Sequence, residues 1–215
     1  MRPTLLVLVM LAAAAPARAE DHPLVRPSRD VAVEYQSSGV PQGPAAAPGH
    51  PVMMRFASKS RQIRIDGPGD RGYAILDIDA GRFTVVMAER RVYIERPADP
   101  GMMGVFQARN TEFRKTGVDT VAGIRCTTYD TRINDRDGQV CLTDDGVLLR
   151  ARSADQDRNR ELEAVSVTYA DQPASLFEIP AGFQKLDPAT MPHGMNLGPG
   201  AGGPRGGNPG GQPGR

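Results

Sequence analysis

The chain has 215 residues, 26 basic and 25 acidic side chains, two cysteines and no tryptophan. So even a balance gives no reason to expect nucleic acid or an anionic membrane surface as a partner. Aromatic residues are 5% of the chain, so its core must be built mainly from Val, Ile, Leu and Met.

Residues 1–19 have the pattern of a secretory signal peptide. Arg2 is the positive start, residues 4–15 (TLLVLVMLAAAA) are an unbroken apolar run, and Ala17-Arg18-Ala19 places small residues at the cleavage-determining positions. Cleavage is expected before Glu20. The apolar run is shorter than the roughly 20 residues that span a bilayer, so no transmembrane segment is expected in the mature protein. Losing Arg2 and Arg18 takes the 26 basic residues to 24 against 25 acidic ones, a net charge of −1. Residues 20–29 are a short extension, and residues 30–186 are of a size to form one domain.

Residues 30–38 (DVAVEYQSS) alternate apolar and polar as a half-buried strand does. The Pro/Gly/Ala-rich stretch 39–51 reads as a surface excursion. Residues 52–58 and 62–66 follow as short strands around a polar turn. Residues 73–79 (YAILDID) and 83–88 (FTVVMA) form a hairpin about the Ala80-Gly81 link. Phe83, Val85 and Met87 share one face of the second strand, and Thr84, Val86 and Ala88 share the other. With both faces largely apolar, that strand is expected in a central place with a cover on each side. Residues 92–95 continue the meander.

Helical spacing occurs once in the mature chain, in residues 100–110 (PGMMGVFQARN), with Met102, Met103 and Phe106 on one side. A single short helix over the sheet is predicted there. Strands resume at 111–117, 124–133, 139–142, 147–152 and 162–169. The domain closes with 173–183 (PASLFEIPAGF), where Leu176, Phe177, Ile179 and Phe183 are apolar anchors. Residues 187–215, rich in Gly and Pro, have too little to bury to offset their ordering entropy and are expected to be disordered. The sum is a mainly antiparallel β domain (all-β or β-rich α+β) of nine to eleven strands with at most one short covering helix, a curved sheet or an open barrel.

Cys126 and Cys141 in an exported chain point to a disulfide. If Asp135-Arg136-Asp137-Gly138 is the turn between their strands, Cys141 faces a residue near Thr131. A bond would then require a bulge or an irregular loop between Thr128 and Gln139.

The chain shows none of the short catalytic motifs GxSxG, HExxH or a phosphate-cradling glycine loop. Its three histidines, His22, His50 and His193, lie in the extension, the excursion and the tail. The paired carboxylates Asp135/Asp137 and Asp144/Asp145 precede Gly138 and Gly146, which is the chemistry of hairpin turns. No catalytic residue and no cofactor are expected. Thioethers around an imidazole, in Met191, His193 and Met195, offer a soft-metal alternative, since such ligands favour Cu(I).

Three blocks carry a resemblance: 120–130 (TVAGIRCTTYD), 141–150 (CLTDDGVLLR) and 173–186 (PASLFEIPAGFQKL). Together they resemble the second half of periplasmic domains of the outer-membrane lipoprotein carrier (LolA/LolB-like) superfamily, one uncharacterised branch of which often has a cysteine in each of the first two blocks. The resemblance implies a strongly curved antiparallel sheet, a curved open half-barrel with a concave side partly covered by helix, and an apolar cavity that in the carriers holds acyl chains. The resulting expectation is a non-enzymatic periplasmic binding or carrier protein, its partner a lipid, acyl chain or lipoprotein segment. Met53, Phe56, Ile75, Val85, Met87, Met103 and Phe106 are the residues expected to line the cavity. A protein-interaction module of the cell envelope is the other alternative.

Overall fold

The structure, a computed structural model, describes residues 22–38, 51–67, 69–107, 111–133, 136–155 and 158–187. The expected signal peptide, the excursion at 39–50 and the tail from 188 onward lie outside the described residues.

Twelve strands form one open sheet. The first half is a meander of β1 (Val31–Ser38), β2 (Val52–Ala57), β3 (Gln62–Asp66), β4 (Gly72–Asp77), β5 (Arg82–Met87) and β6 (Val92–Pro97). Helix α1 (Pro100–Gln107) then leads to a second meander of β7 (Glu112–Val121), β8 (Ile124–Ile133), β9 (Arg136–Leu142), β10 (Leu148–Asp155) and β11 (Arg158–Thr168). The halves join where β11 pairs antiparallel with β1. The two-residue β12 (Gln184–Lys185) adds in parallel to β6, so β12 and β7 are the edges. This is the open half-barrel that the strand pattern and the resemblance together lead one to expect, with one more strand than the upper expectation.

Cross-strand register explains the main core. Val31, Phe56, Ile63, Leu76 and Phe83 stand opposite one another in a row across β1 to β5, and side chains two residues apart share a face. These five are buried in one cluster with Val33, Tyr35, Leu149 and Ala164, and Met103 and Phe106 of α1 pack against it. The Tyr35 hydroxyl, inside this apolar cluster, donates to the Leu148 carbonyl at 2.7 Å, and burial pushes its pKa far above the usual phenol value.

β5 is apolar on both faces as expected, but it lies third from an edge rather than centrally. Its second cover is the chain's own C-terminal segment. Arg64, Tyr73, Ile75, Thr84 and Val86 share the face opposite the main row. A 3-10 turn at Ala174–Phe177 lies against them. Arg64 donates to the Leu176 carbonyl at 2.7 Å, Tyr73 donates to the Glu178 carbonyl at 2.8 Å, and Ile75, Val86 and Phe177 are all buried.

Two expectations about turns are corrected. The β4–β5 ladder ends at Asp77–Arg82, so the link is four residues, Ile78 to Gly81, and not two. Ile78 leaves the ladder because its side chain is buried and its N–H bonds to the Arg61 carbonyl of the neighbouring turn. The β8–β9 ladder runs without a bulge to Ile133–Arg136, so Arg136, Asp137 and Gly138 belong to β9 and not to a turn. That shift of register places Cys141 opposite Thr128, diagonal to Cys126 on the same face. The two cysteines form a disulfide with Cα atoms 5.5 Å apart. The link spans 15 residues, for which loop entropy gives roughly 3 kcal/mol. Reduction, or Cys126→Ser with Cys141→Ser, should lower the unfolding free energy by that order, read as a lower urea midpoint. An unchanged midpoint would show that the hairpin is held without the bond.

Candidate functional site: an apolar cavity with two arginines

A cavity of about 460 Å3 opens where the inner sheet face meets the N-terminal segment. Its apolar wall is Phe56 and Ile63 from the sheet, Ile78 from the β4–β5 link, Phe106 from α1, and Leu24 and Val25 from the segment before β1. Each arrives there for a local reason. Phe56 and Ile63 face each other across the β2–β3 hairpin, Ile78 is the residue that left the β4–β5 ladder, and Phe106 lies one helical turn beyond Met103 on the face α1 lays on the core.

The wall formed by residues 23–28 is held by a turn between β9 and β10. Ser28 N–H donates to the Asp145 carbonyl at 2.9 Å. The Asp145 carboxylate receives Thr143 Oγ1 at 2.5 Å, Arg29 Nε at 2.7 Å and the Tyr169 hydroxyl at 3.2 Å. The Arg29 guanidinium also stacks 3.6 Å above the Tyr169 ring. Asp30 fixes the next step of the chain, accepting from Ser58 N–H and hydroxyl and from Gln172 N–H. So β1, the end of β2 and the C-terminal segment meet on one carboxylate.

Burial pulls the pKa of Asp145 upward, but the hydrogen bonds from Thr143, Arg29 and Tyr169 outweigh it and leave the carboxyl below its usual value. Asp30 is likewise held low, burial being outweighed by the bonds from Gln172 and Ser58. A carboxyl with a depressed folded-state pKa contributes stability above its unfolded value, about 4, and that contribution is lost as pH falls through the folded value. Urea midpoints should therefore decline as pH drops from about 5 to 2, and Asp145→Asn should flatten the decline. An identical pH profile for this variant would refute the assignment.

The polar part of the cavity is basic. Arg26 and Arg61 both line it, with Ser28, Ser58 and Gln62. Arg61 has a left-handed backbone, φ 53°, and its Nε lies 3.0 Å from the carboxylate of Asp79. Asp79 is exposed and is not part of the lining. Burial first, and the like charge of Arg61 second, pull Arg26 below the usual arginine pKa, with Asp79 offsetting in part.

Of the seven residues expected to line a cavity, Phe56 and Phe106 do so. Val85 and Met103 pack against the main core cluster. Strand alternation puts Met87 on the face of Val85, and Met53 and Ile75 on the opposite face. Ile75 is buried there, on the face held by the C-terminal segment. Met191, His193 and Met195, and His50, lie outside the described residues. Residues 23–28 are the part of the site that the pattern did not disclose. Two prolines interrupt them, and the only signal is the Leu24-Val25 pair in a stretch otherwise polar or proline.

Among the described residues, no three His, Cys, Asp or Glu side chains are grouped to hold a metal ion. No helix among them is long and apolar enough to cross a membrane.

An open, curved antiparallel sheet with a helix on its inner face is the architecture the resemblance implied. No protein-family model and no curated protein matches the chain. Among solved structures, an uncharacterized conserved protein from Thermus thermophilus superposes with a TM-score of 0.50 at 14% identity, over 74% of this chain and 90% of that one. MucB gives a TM-score of 0.46 at 12% identity, over 73% of this chain and 59% of that one. The Pseudomonas aeruginosa MucA/MucB complex gives 0.43 at 13% identity, over 71% of this chain and 56% of that one. The likeness to the Thermus protein is one of fold.

Proposed function

We propose that the chain is an exported, non-enzymatic binding or carrier protein of the cell envelope whose cavity receives an apolar chain, from a lipid, a fatty acid or a lipoprotein. The observation that carries this reading is the cavity of about 460 Å3 walled by Phe56, Ile63, Ile78, Phe106, Leu24 and Val25. Small-molecule sites measure roughly 300–1,000 Å3 and combine mostly apolar walls with a few polar groups. The apolar run of residues 4–15 ahead of Ala17-Arg18-Ala19 supports export.

Three partly buried carboxylates are committed to structure. Asp145 and Asp30 tie segments together, and Asp66 is shared between Arg55 and Arg64. His22 is exposed in the N-terminal segment. A fluorescent fatty-acid analogue should bind the full chain saturably and be displaced by unlabelled fatty acid. A linear, non-displaceable signal would overturn the proposal.

A further inference from the structure

The polar groups of the cavity go further than its volume, because they define what the head of the ligand must be. We propose that the cavity takes an amphiphile whose head is an oxyanion, a carboxylate or a phosphate, and that Arg26 and Arg61 hold that head. This rests on the cavity reading above and deepens it.

Two arginines are among the residues that line the cavity, and among the described residues no Asp or Glu lines it. Arg61 shares part of its charge with Asp79, but both are well exposed, at 44% and 56% of the side chain, and an ion pair so open to water is weak. Arg26 has no ion pair with a carboxylate among the described residues. It is half-buried, and Leu24, Val25 and Pro27, its neighbours in the chain, line the cavity with it. A desolvated cation next to a second cation is unfavourable until an anion arrives. Guanidinium groups present planar pairs of N–H donors that match the oxygens of carboxylate or phosphate. Attraction between opposite charges also strengthens beside apolar walls, where the effective dielectric falls. A neutral lipid would leave Arg26 uncompensated, and a cationic one would add repulsion.

The architecture adds direction. Arg26 comes from the segment before β1 and Arg61 from the β2–β3 turn, while Phe106 comes from α1. The head would thus sit between the segment before β1 and the β2–β3 turn, with the chain directed toward α1 and Ile63.

Isothermal titration of the full chain tests this with hexadecanoate, hexadecyl phosphate, the neutral glyceryl monohexadecanoate, cationic hexadecyltrimethylammonium, and the chainless anions acetate and inorganic phosphate. Hexadecanoate or hexadecyl phosphate should bind most tightly, and whichever is preferred identifies the head. Arg26→Gln should weaken that ligand about ten- to a hundredfold and leave the neutral ester unchanged. Arg26→Lys should restore part of the loss. Arg61→Gln should act in the same direction, and thermal melting of each variant checks that the fold is kept. Equal affinity for the neutral ester would overturn the oxyanion head and leave the cavity reading standing. Preference for the cation would do the same. Acetate or inorganic phosphate matching the long-chain ligands would remove the amphiphile. Binding of none of the six would remove both proposals.

Discussion

Phe177→Ala should destabilise the protein by about 3–5 kcal/mol, the usual cost of truncating a buried phenylalanine that its surroundings cannot collapse to fill. Phe177 is only 5% exposed, although it lies in a 3-10 turn and not in the sheet. Its surroundings are fixed in place. Arg64 holds the preceding carbonyl and Tyr73 the following one, with the Arg64 guanidinium stacked 3.6 Å from the Tyr73 ring. The cavity left by the ring would therefore persist. Ile75 and Val86, buried on that face, would come into reach of water, and the C-terminal segment that continues into β12 would lose its main anchor. β12 covers part of the β6 edge through Gln184 N–H to the Arg91 carbonyl and Leu186 N–H to the Tyr93 carbonyl, so its release would also uncover unpaired strand groups. The measurement is the urea midpoint together with binding of a dye for exposed apolar surface under native conditions. A loss under about 1 kcal/mol, with no added dye binding, would mean that the segment rests on the sheet without holding it.

How far the sequence anticipated this depends on whether the deciding interaction is local. Alternation located β1, because a strand with one buried face writes that face into every second residue. The Met103–Phe106 spacing located α1. The sequence pattern ends β7 at Gly117, a residue type that weakens a strand interior. The strand instead absorbs it with a register shift between Lys115 and Gly117 and continues to Val121. The β8–β9 turn was misplaced because Asp137-Gly138 is a strong turn signal, and only the pairing of whole strands decides between two turns a few residues apart. That error hid the diagonal approach of the cysteines. The two-sided apolarity of β5 was visible, but the identity of the second cover was not. A ligand, a helix or a distant segment satisfies the same pattern, and Phe177 is some ninety residues away in the chain. The cavity was hidden for the same reason. Phe56 and Phe106 were readable as apolar, while the wall opposite them is an unpatterned stretch placed by Asp145.

The position that links that wall to stability is Gly146, and Gly146→Ala should impair both folding and binding. Its φ is +87°, and an added Cβ would lie 2.1 Å from the Arg26 carbonyl oxygen, 2.7 Å from its carbon and 3.0 Å from Leu24 Cβ. The left-handed backbone alone costs a side-chain-bearing residue roughly 1–2 kcal/mol. The overlap adds about 1–3 kcal/mol, because backbone at Arg26 cannot swing aside as a flexible side chain would. The strain is relieved by moving residues 23–28 outward, at the expense of the Ser28 to Asp145 hydrogen bond and the Arg29 to Asp145 ion pair. Leu24, Val25 and Arg26 would move with that segment, opening one side of the cavity while the rows across β1 to β5 stay packed. The expected result is a stability loss of about 2–5 kcal/mol, faster hydrogen exchange confined to residues 22–29, and at least tenfold weaker binding of the fatty-acid analogue. Gly81→Ala is the control, since Gly81 has φ +59° and nothing within 4 Å of the added Cβ. It carries the backbone cost without the collision, so it should lose about 1–2 kcal/mol and bind as before. If Gly146→Ala behaves no differently from Gly81→Ala, the segment before β1 is not a wall of the site.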